Sequence, residues 1–308
     1  MKDDKKHPRI ARLLFILPVV LLGGCSTTHF WLIHPKGPVA GAELHFIIVD
    51  VAVMLGIIIP TAALLVWFLW RYRESRPRGR YDSHWASSTR IEAIMWGIPL
   101  LAVGLLSYFS FVGIHEVNPY DPTAIASDKK VGNHTSPLEV DVISTDWQWV
   151  FIYPKQHIAT LNELVVPIDT PVHFRLTSAT VTNSFFIPEL VGQIYAMPGM
   201  RTKQTMLVND PGTYQGFSAT LSGPGFSWMQ FQTKAIPPGT FGRWVENVKA
   251  DQKALSYAAF NRVARPTINL HHTVKYYARV QTGLFDHVIQ EVKQGKVFTT
   301  RMGMTSHM

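Results

Sequence analysis

Cysteine occurs once in these 308 residues, at Cys25. No intrachain disulfide can form and no site needing two thiolates exists, so disulfides carry no information about the redox compartment. Charge is also sparse: 16% of residues are charged and 47% are hydrophobic, a balance expected of a membrane protein with a soluble part. A glycine-rich phosphate loop, a serine-nucleophile motif, paired catalytic carboxylates, an internal repeat and low-complexity stretches are all missing. A net charge of +8 would suit nucleic acid if it formed one patch. Instead the basic residues gather at the N-terminus and between two long apolar runs, which is a membrane-orientation pattern, and no nucleic-acid partner is expected.

What is present begins with a processing signal. Lys2, Lys5, Lys6, Arg9 and Arg12 precede an apolar segment, Leu13 to Leu22, and Gly23, Gly24 and Cys25 follow directly. This is lipobox spacing, so residues 1–24 are expected to be a lipoprotein signal peptide and Cys25 the lipidated residue. Its acyl chains would partition into lipid at about 0.8 kcal/mol per buried methylene. The alternative is a short signal-anchor with an incidental cysteine.

After an outward segment, 25–42, two apolar runs at 43–70 and 91–114 are long enough as helices to cross a hydrocarbon core of about 30 Å. Pro60 and Pro99 lie inside them, which membrane helices tolerate. The loop between them, 71–90, carries Arg71, Arg73, Arg76, Arg78, Arg80 and Arg90 against Glu74 and Asp82. The positive-inside rule puts this loop in the cytoplasm and both termini outside, where a lipidated Cys25 would also lie.

Residues 115–136 read as a linker, and then the pattern changes. Short β-branched and aromatic segments recur at Leu138–Ile143, Trp147–Tyr153, Glu163–Val166, Pro171–Thr177, Ser184–Ile187, Thr202–Val208, Gly212–Ser218 and Met229–Ala235, separated by Pro, Gly and Asp turns. Strands at this spacing predict a β-sandwich or Greek-key barrel over 137–236. The extension 237–308 predicts a helix over Phe241–Ala250 with Thr240 as N-cap, a second over Lys253–Val263, and an amphipathic remainder containing Tyr276, Tyr277, Leu284 and Phe285. The fold class is therefore membrane plus all-β: a two-helix transmembrane hairpin, a sandwich, and a short helical C-terminal extension.

Several segments carry a family resemblance: Thr145 to Trp149 with Phe151 to Pro154, Asn162 to Pro167, Asn183 to Pro188, Tyr195 to Met200, Pro211 to Tyr214 with Ser218 to Phe226, and Ala264 to Thr267 through Gly283 to Asp286. Together they resemble subunit II of haem-copper oxidases, from Cys25 to about Gln290. The segment Pro211 to Phe226 is similar to the quinol-oxidase branch, the bo-type ubiquinol oxidases. The resemblance implies a cupredoxin-like sandwich on the periplasmic side of a bacterial inner membrane, followed by an aromatic-rich motif. It implies partnership with subunit I and smaller subunits III and IV, and ubiquinol as the substrate of the complex. Haems and copper are expected in subunit I, with no cofactor on this chain.

Copper-bearing relatives hold their dinuclear centre here through cysteines, histidines and a methionine, soft ligands suited to copper. The resemblance places the lost ligand positions at Asn183 and Gly225 for the histidines and at Phe217 and Leu221 for the cysteines, with Met229 near the methionine position. Independently, the only thiol is Cys25, so even a mononuclear His/His/Cys copper site is unavailable to the sandwich. No metal ligand and no catalytic residue is expected.

Glu92, near the start of the second span, matches the glutamate that the family places at the mouth of a proton-uptake path. The bland reading is a carboxylate favoured by a helix N-terminus. Asp50, inside the first span, either contacts subunit I or snorkels to the interface. Trp147 and Trp149, two apart, are expected to share one strand face and serve packing. His271 and His272 lack convergent partners and read as solvated surface. The reading is a non-catalytic subunit of a proton-translocating quinol:oxygen oxidoreductase. The rivals are a copper-bearing subunit serving cytochrome c and a lipoprotein acting only in assembly or binding.

Overall fold

The computed structural model describes residues 31–73, 87–121, 125, 136–268, 273–296 and 298. The apolar runs form helices α1 (Pro38–Arg71) and α2 (Thr89–Glu116), each extending beyond the expected span at both ends. Pro38 can open α1 because the first helical N–H has no intrahelical partner to lose. The most apolar windows of the two helices, with mean hydropathy 2.4 and 1.9, are 0% and 6% buried within the chain, so lipid or another subunit must cover them. The helices touch where the Phe46 ring rests on Gly113, close enough that a Cβ there would sit 3.3 Å from the ring.

The sandwich has two sheets. One runs β12-β3-β2-β1-β5-β8, formed by β1 (Leu138–Ser144), β2 (Trp149–Tyr153), β3 (Ile158–Leu161), β5 (Val172–Ser178), β8 (Thr202–Met206) and the late strand β12 (Lys275–Tyr277). The other runs β4-β10-β9-β6-β7, formed by β4 (Glu163–Pro167), β6 (Asn183–Ile187), β7 (Val191–Ala196), β9 (Gly212–Ser218) and β10 (Gln230–Ile236). Within these sheets the β1–β5 and β10–β4 pairs are parallel and the remainder antiparallel. Asn162 turns the chain from one sheet to the other at φ 58°, a left-handed conformation that asparagine tolerates better than most residues. Its side chain accepts from Trp149 N at 2.9 Å and donates to Thr273 O at 3.1 Å.

Aromatic side chains from both inner faces fill the space between the sheets. Trp149, Phe151 and Phe174 come from one side, and Phe185 and Phe231 from the other; the last two stack at 5.3 Å and 7°. Burying each such side chain contributes about 1.5–3 kcal/mol.

The extension comprises α3 (Pro238–Lys249), β11 (Ala254–Leu255), α4 (Tyr257–Val263), β12, β13 (Arg279–Val280) and α5 (Leu284–Lys293). A second core forms where Leu284, Phe285 and Val288 of α5 meet Ile143, Val150 and Ile152. The guanidiniums of Arg175 and Arg201 both lie over the Phe285 ring, at 5.5 and 5.7 Å from its centroid.

Four expectations need correction. Strands β3 and β7 were not anticipated. Strand β2 starts at Trp149, so Trp147 lies in the preceding turn and not on a shared strand face. The helix expected behind Thr240 begins three residues earlier, with Pro237 at the N-cap and Pro238 at N1. The helix expected over Lys253–Val263 is two elements, strand β11 and helix α4, because the Ser256 hydroxyl caps the helix start by accepting from Ala259 N at 3.2 Å.

Candidate functional site

The first candidate site is the corner where β6 begins and β9 ends. Asn183 is fully buried; its amide donates to Ser144 Oγ at 3.3 Å and to Val181 O at 3.1 Å, and its carbonyl accepts from Ser218 Oγ at 3.2 Å. Ser218 N donates to Met229 O at 3.1 Å, tying in the far side of the loop. A buried polar network costs stability unless its members are paired, and here each amide and hydroxyl named finds a partner within the chain.

The other positions are equally committed. Phe217 packs edge-on to Phe186 at 5.5 Å and tilted against Trp31 at 5.6 Å. Leu221 points outward, 77% exposed. Gly225 lies against the Trp147 indole so closely that any Cβ would enter the ring's van der Waals envelope. Gly223 does the same at 2.9 Å, with φ +115°. Trp147 itself is 4% exposed, and its Nε1–H donates to Ser222 O at 3.0 Å. An indole thus lies against the backbone of the loop that would have to present ligands. The four positions supply an amide, a phenyl, an isobutyl group and a hydrogen; Met229 is buried and adds one thioether. Among the described residues no group of three or more His, Cys, Asp or Glu side chains comes together at metal-binding range.

The second candidate, Glu92, sits in the first turn of α2, which starts behind Ser88. Its backbone N–H donates to Ser88 O at 2.9 Å, while its exposed side chain makes no hydrogen bond or ion pair among the described residues. Asp50 is half-buried in α1. Cys25, His271 and His272 lie outside the described residues.

One carboxylate escaped the sequence reading. Glu43, near the start of α1, takes a backbone hydrogen bond from Gly192 of β7, at a spot where any side chain on residue 192 would collide with it. The signal was present: Glu43 and Asp50 are seven apart and so share one helix face. Nearby, Lys36 N donates to Glu189 O at 2.7 Å, and a Cβ on Gly37 would meet Leu190 O at 3.0 Å. The start of α1 is therefore bonded into the sandwich.

The family model for the cytochrome c oxidase subunit II periplasmic domain matches residues 152–236, and that for the COX aromatic rich motif matches 249–296. The chain is 40% identical over 289 residues to the cytochrome bo(3) ubiquinol oxidase subunit 2 of Pseudomonas putida, covering 94% of this chain and 88% of that protein. The chain belongs to the ubiquinol oxidase subunit II family. Two further family members are the ubiquinol oxidase subunit 2 of Acetobacter aceti, 38% identical with 97% and 94% covered, and the cytochrome bo(3) ubiquinol oxidase subunit 2 of Pseudomonas aeruginosa, 39% identical with 92% and 82% covered. Ubiquinol oxidase subunit II is one component of an oxidoreductase complex, and two apolar helices of spanning length suit it to the inner membrane. The aromatic-rich motif of the family falls on the segment that supplies β11, α4, β12, β13 and α5.

Proposed function

We propose that this chain is a non-catalytic subunit of a proton-translocating quinol:oxygen oxidoreductase, holding no metal itself and resting on a subunit I that carries the haems and copper. The observation that supports this most is the filled corner: Asn183 is hydrogen-bonded on both ends of its amide, and Trp147 occupies the space beside Gly225. A copper centre does not fit donors of this kind. The chemistry gives a reason. Quinol, here ubiquinol, diffuses within the bilayer and reaches a site in the membrane subunit directly, whereas a water-soluble one-electron donor needs an outward relay.

In this reading α1 and α2 dock on subunit I beside subunits III and IV. The arginine-rich loop faces the cytoplasm, the sandwich faces the periplasm, and Cys25 carries lipid. Glu92 takes protons from cytoplasmic water and hands them to subunit I; its exposed carboxylate has no hydrogen-bond or ion-pair partner among the described residues.

The test uses the full-length chain. Isolated in detergent and dialysed against copper, it should develop no purple chromophore and retain no stoichiometric copper. Tagged and purified from membranes, it should bring haem and subunit I with it. A purple, copper-loaded chain sinks the metal-free reading, and recovery without haem or subunit I turns the protein into an assembly or binding lipoprotein.

A further inference from the structure

Between the β3–β12 edge of the six-stranded sheet and the extension lies an open cavity of about 510 Å3, whose described lining includes neither Asn183 nor any residue of α2. Among the described residues its charged lining has one sign: Lys253, Arg262 of α4 and Lys275 of β12, with no carboxylate. Lys253 shares Asp251 at 3.2 Å, outside the lining, while Arg262 and Lys275 have no ion-pair partner among the described residues. The polar wall is completed by Gln148, Thr267 and Tyr277, and Leu161, Ala259 and Val263 give an apolar floor.

These groups sit on fixed supports. Gln148 Nε2 donates to Val263 O at 3.3 Å, Thr267 N donates to Asp146 O at 2.9 Å, and Lys275 is held in register opposite Leu161. The Tyr277 hydroxyl, beside Arg262, makes no hydrogen bond among the described residues and remains available. Three cations line one concave site, and the positive potential they share attracts an anion. A guanidinium offers planar, paired donors matched to phosphoryl oxygens, and the volume lies in the usual range for small-molecule sites.

We propose that this cavity binds a phosphate-class oxyanion, with Arg262, Lys253 and Lys275 facing the phosphoryl oxygens and the floor accepting an attached hydrocarbon portion. A phospholipid headgroup and free phosphate share that chemistry.

The experiment uses the detergent-purified complex and isothermal titration calorimetry at fixed ionic strength. The probes are inorganic phosphate and dihexanoyl phosphatidylglycerol kept below micelle formation. At least one should bind saturably, and the double variant Arg262→Gln/Lys275→Gln should weaken binding at least tenfold while its melting temperature stays that of wild type. Lys249→Gln, outside the cavity, should leave binding unchanged. Saturation by the lipid assigns the site to a headgroup, and saturation by phosphate alone assigns it to the free ion. If neither probe saturates, or the double variant binds as tightly as wild type, the proposal falls.

Discussion

At the Asn183 corner, side chains from β1, β6, β9 and the turn before β2 close on one another until every named polar group is partnered; at the start of α2, Glu92 is left facing outward with no side-chain partner among the described residues. The first arrangement leaves its polar groups committed to one another, with no room beside Gly225 for a side chain. The second leaves a carboxylate exposed at a helix start, which under the proposed function faces subunit I. Buried, satisfied groups resist substitution through stability, whereas an exposed, unpartnered carboxylate has little stability to lose and shows its role only in the assembled complex.

The largest test of that contrast is Trp147→Ala. Removing an indole that is 4% exposed should cost about 3–5 kcal/mol, read as a lowered denaturation midpoint of the full-length chain. A shift below 1 kcal/mol would mean the corner is loosely packed and still able to open. Next comes Gly225→Ala, where one methyl group forced against the indole should cost about 1–3 kcal/mol by the same measurement. A neutral result there would show that the ring can move aside.

The other half of the comparison is Glu92. Glu92→Ala should cut oxygen consumption per haem severalfold with haem content unchanged, and Glu92→Asp should restore much of it. The melting change should stay within the roughly 0.3–1 kcal/mol that a helix N-terminal carboxylate contributes. Equal turnover in wild type and both variants, across a range of pH, removes Glu92 from proton uptake and makes it a helix-end charge.

The smallest effect concerns the sandwich at alkaline pH. Burial, reinforced by the charge of Asp210, pushes the Tyr214 phenol up to about 12, and its hydroxyl donates to Asp210 O at 2.7 Å. An unfolded tyrosine ionises near 10. Because the folded value is the higher, this contribution to stability is complete below pH ~10 and is lost as pH rises towards 12. Melting the chain at pH 9 and 11 should show the decline, and Tyr214→Phe should remove part of it; identical slopes would refute the assignment.

The spans and most sandwich strands were legible because each repeats one pattern over enough residues to stand out: unbroken apolar runs for α1 and α2, turn-punctuated β-rich segments for the strands. Strand β3 escaped because no Gly or Pro separates it from β4; only Asn162 does, and its left-handed turn is visible in the backbone alone. Strand β7 escaped because Gly192 weakens the strand pattern, and the reason for that glycine is the Glu43 carboxylate of a helix some 150 residues earlier in the chain. Asn183, Phe217, Leu221 and Gly225 stood out only through the family resemblance, and the indole beside Gly225 was not anticipated. Trp147 read as one of two tryptophans on a strand, and its contact with Gly225 spans a separation that no local pattern encodes.

Strand β12 has a consequence beyond architecture. Only three residues long, it lies along β3 as the outermost member of its sheet, and it presents Lys275; at the opposite margin β8 presents Lys203. Short margins bearing lysine discourage pairing with neighbouring molecules. During synthesis, however, residue 275 emerges more than a hundred residues after β3. Until it arrives, the backbone donors and acceptors along that side of β3 stand bare. A chain halted before residue 277 would therefore be prone to self-association, and the family's aromatic-rich tail would double as the element that renders the nascent domain safe in crowded surroundings.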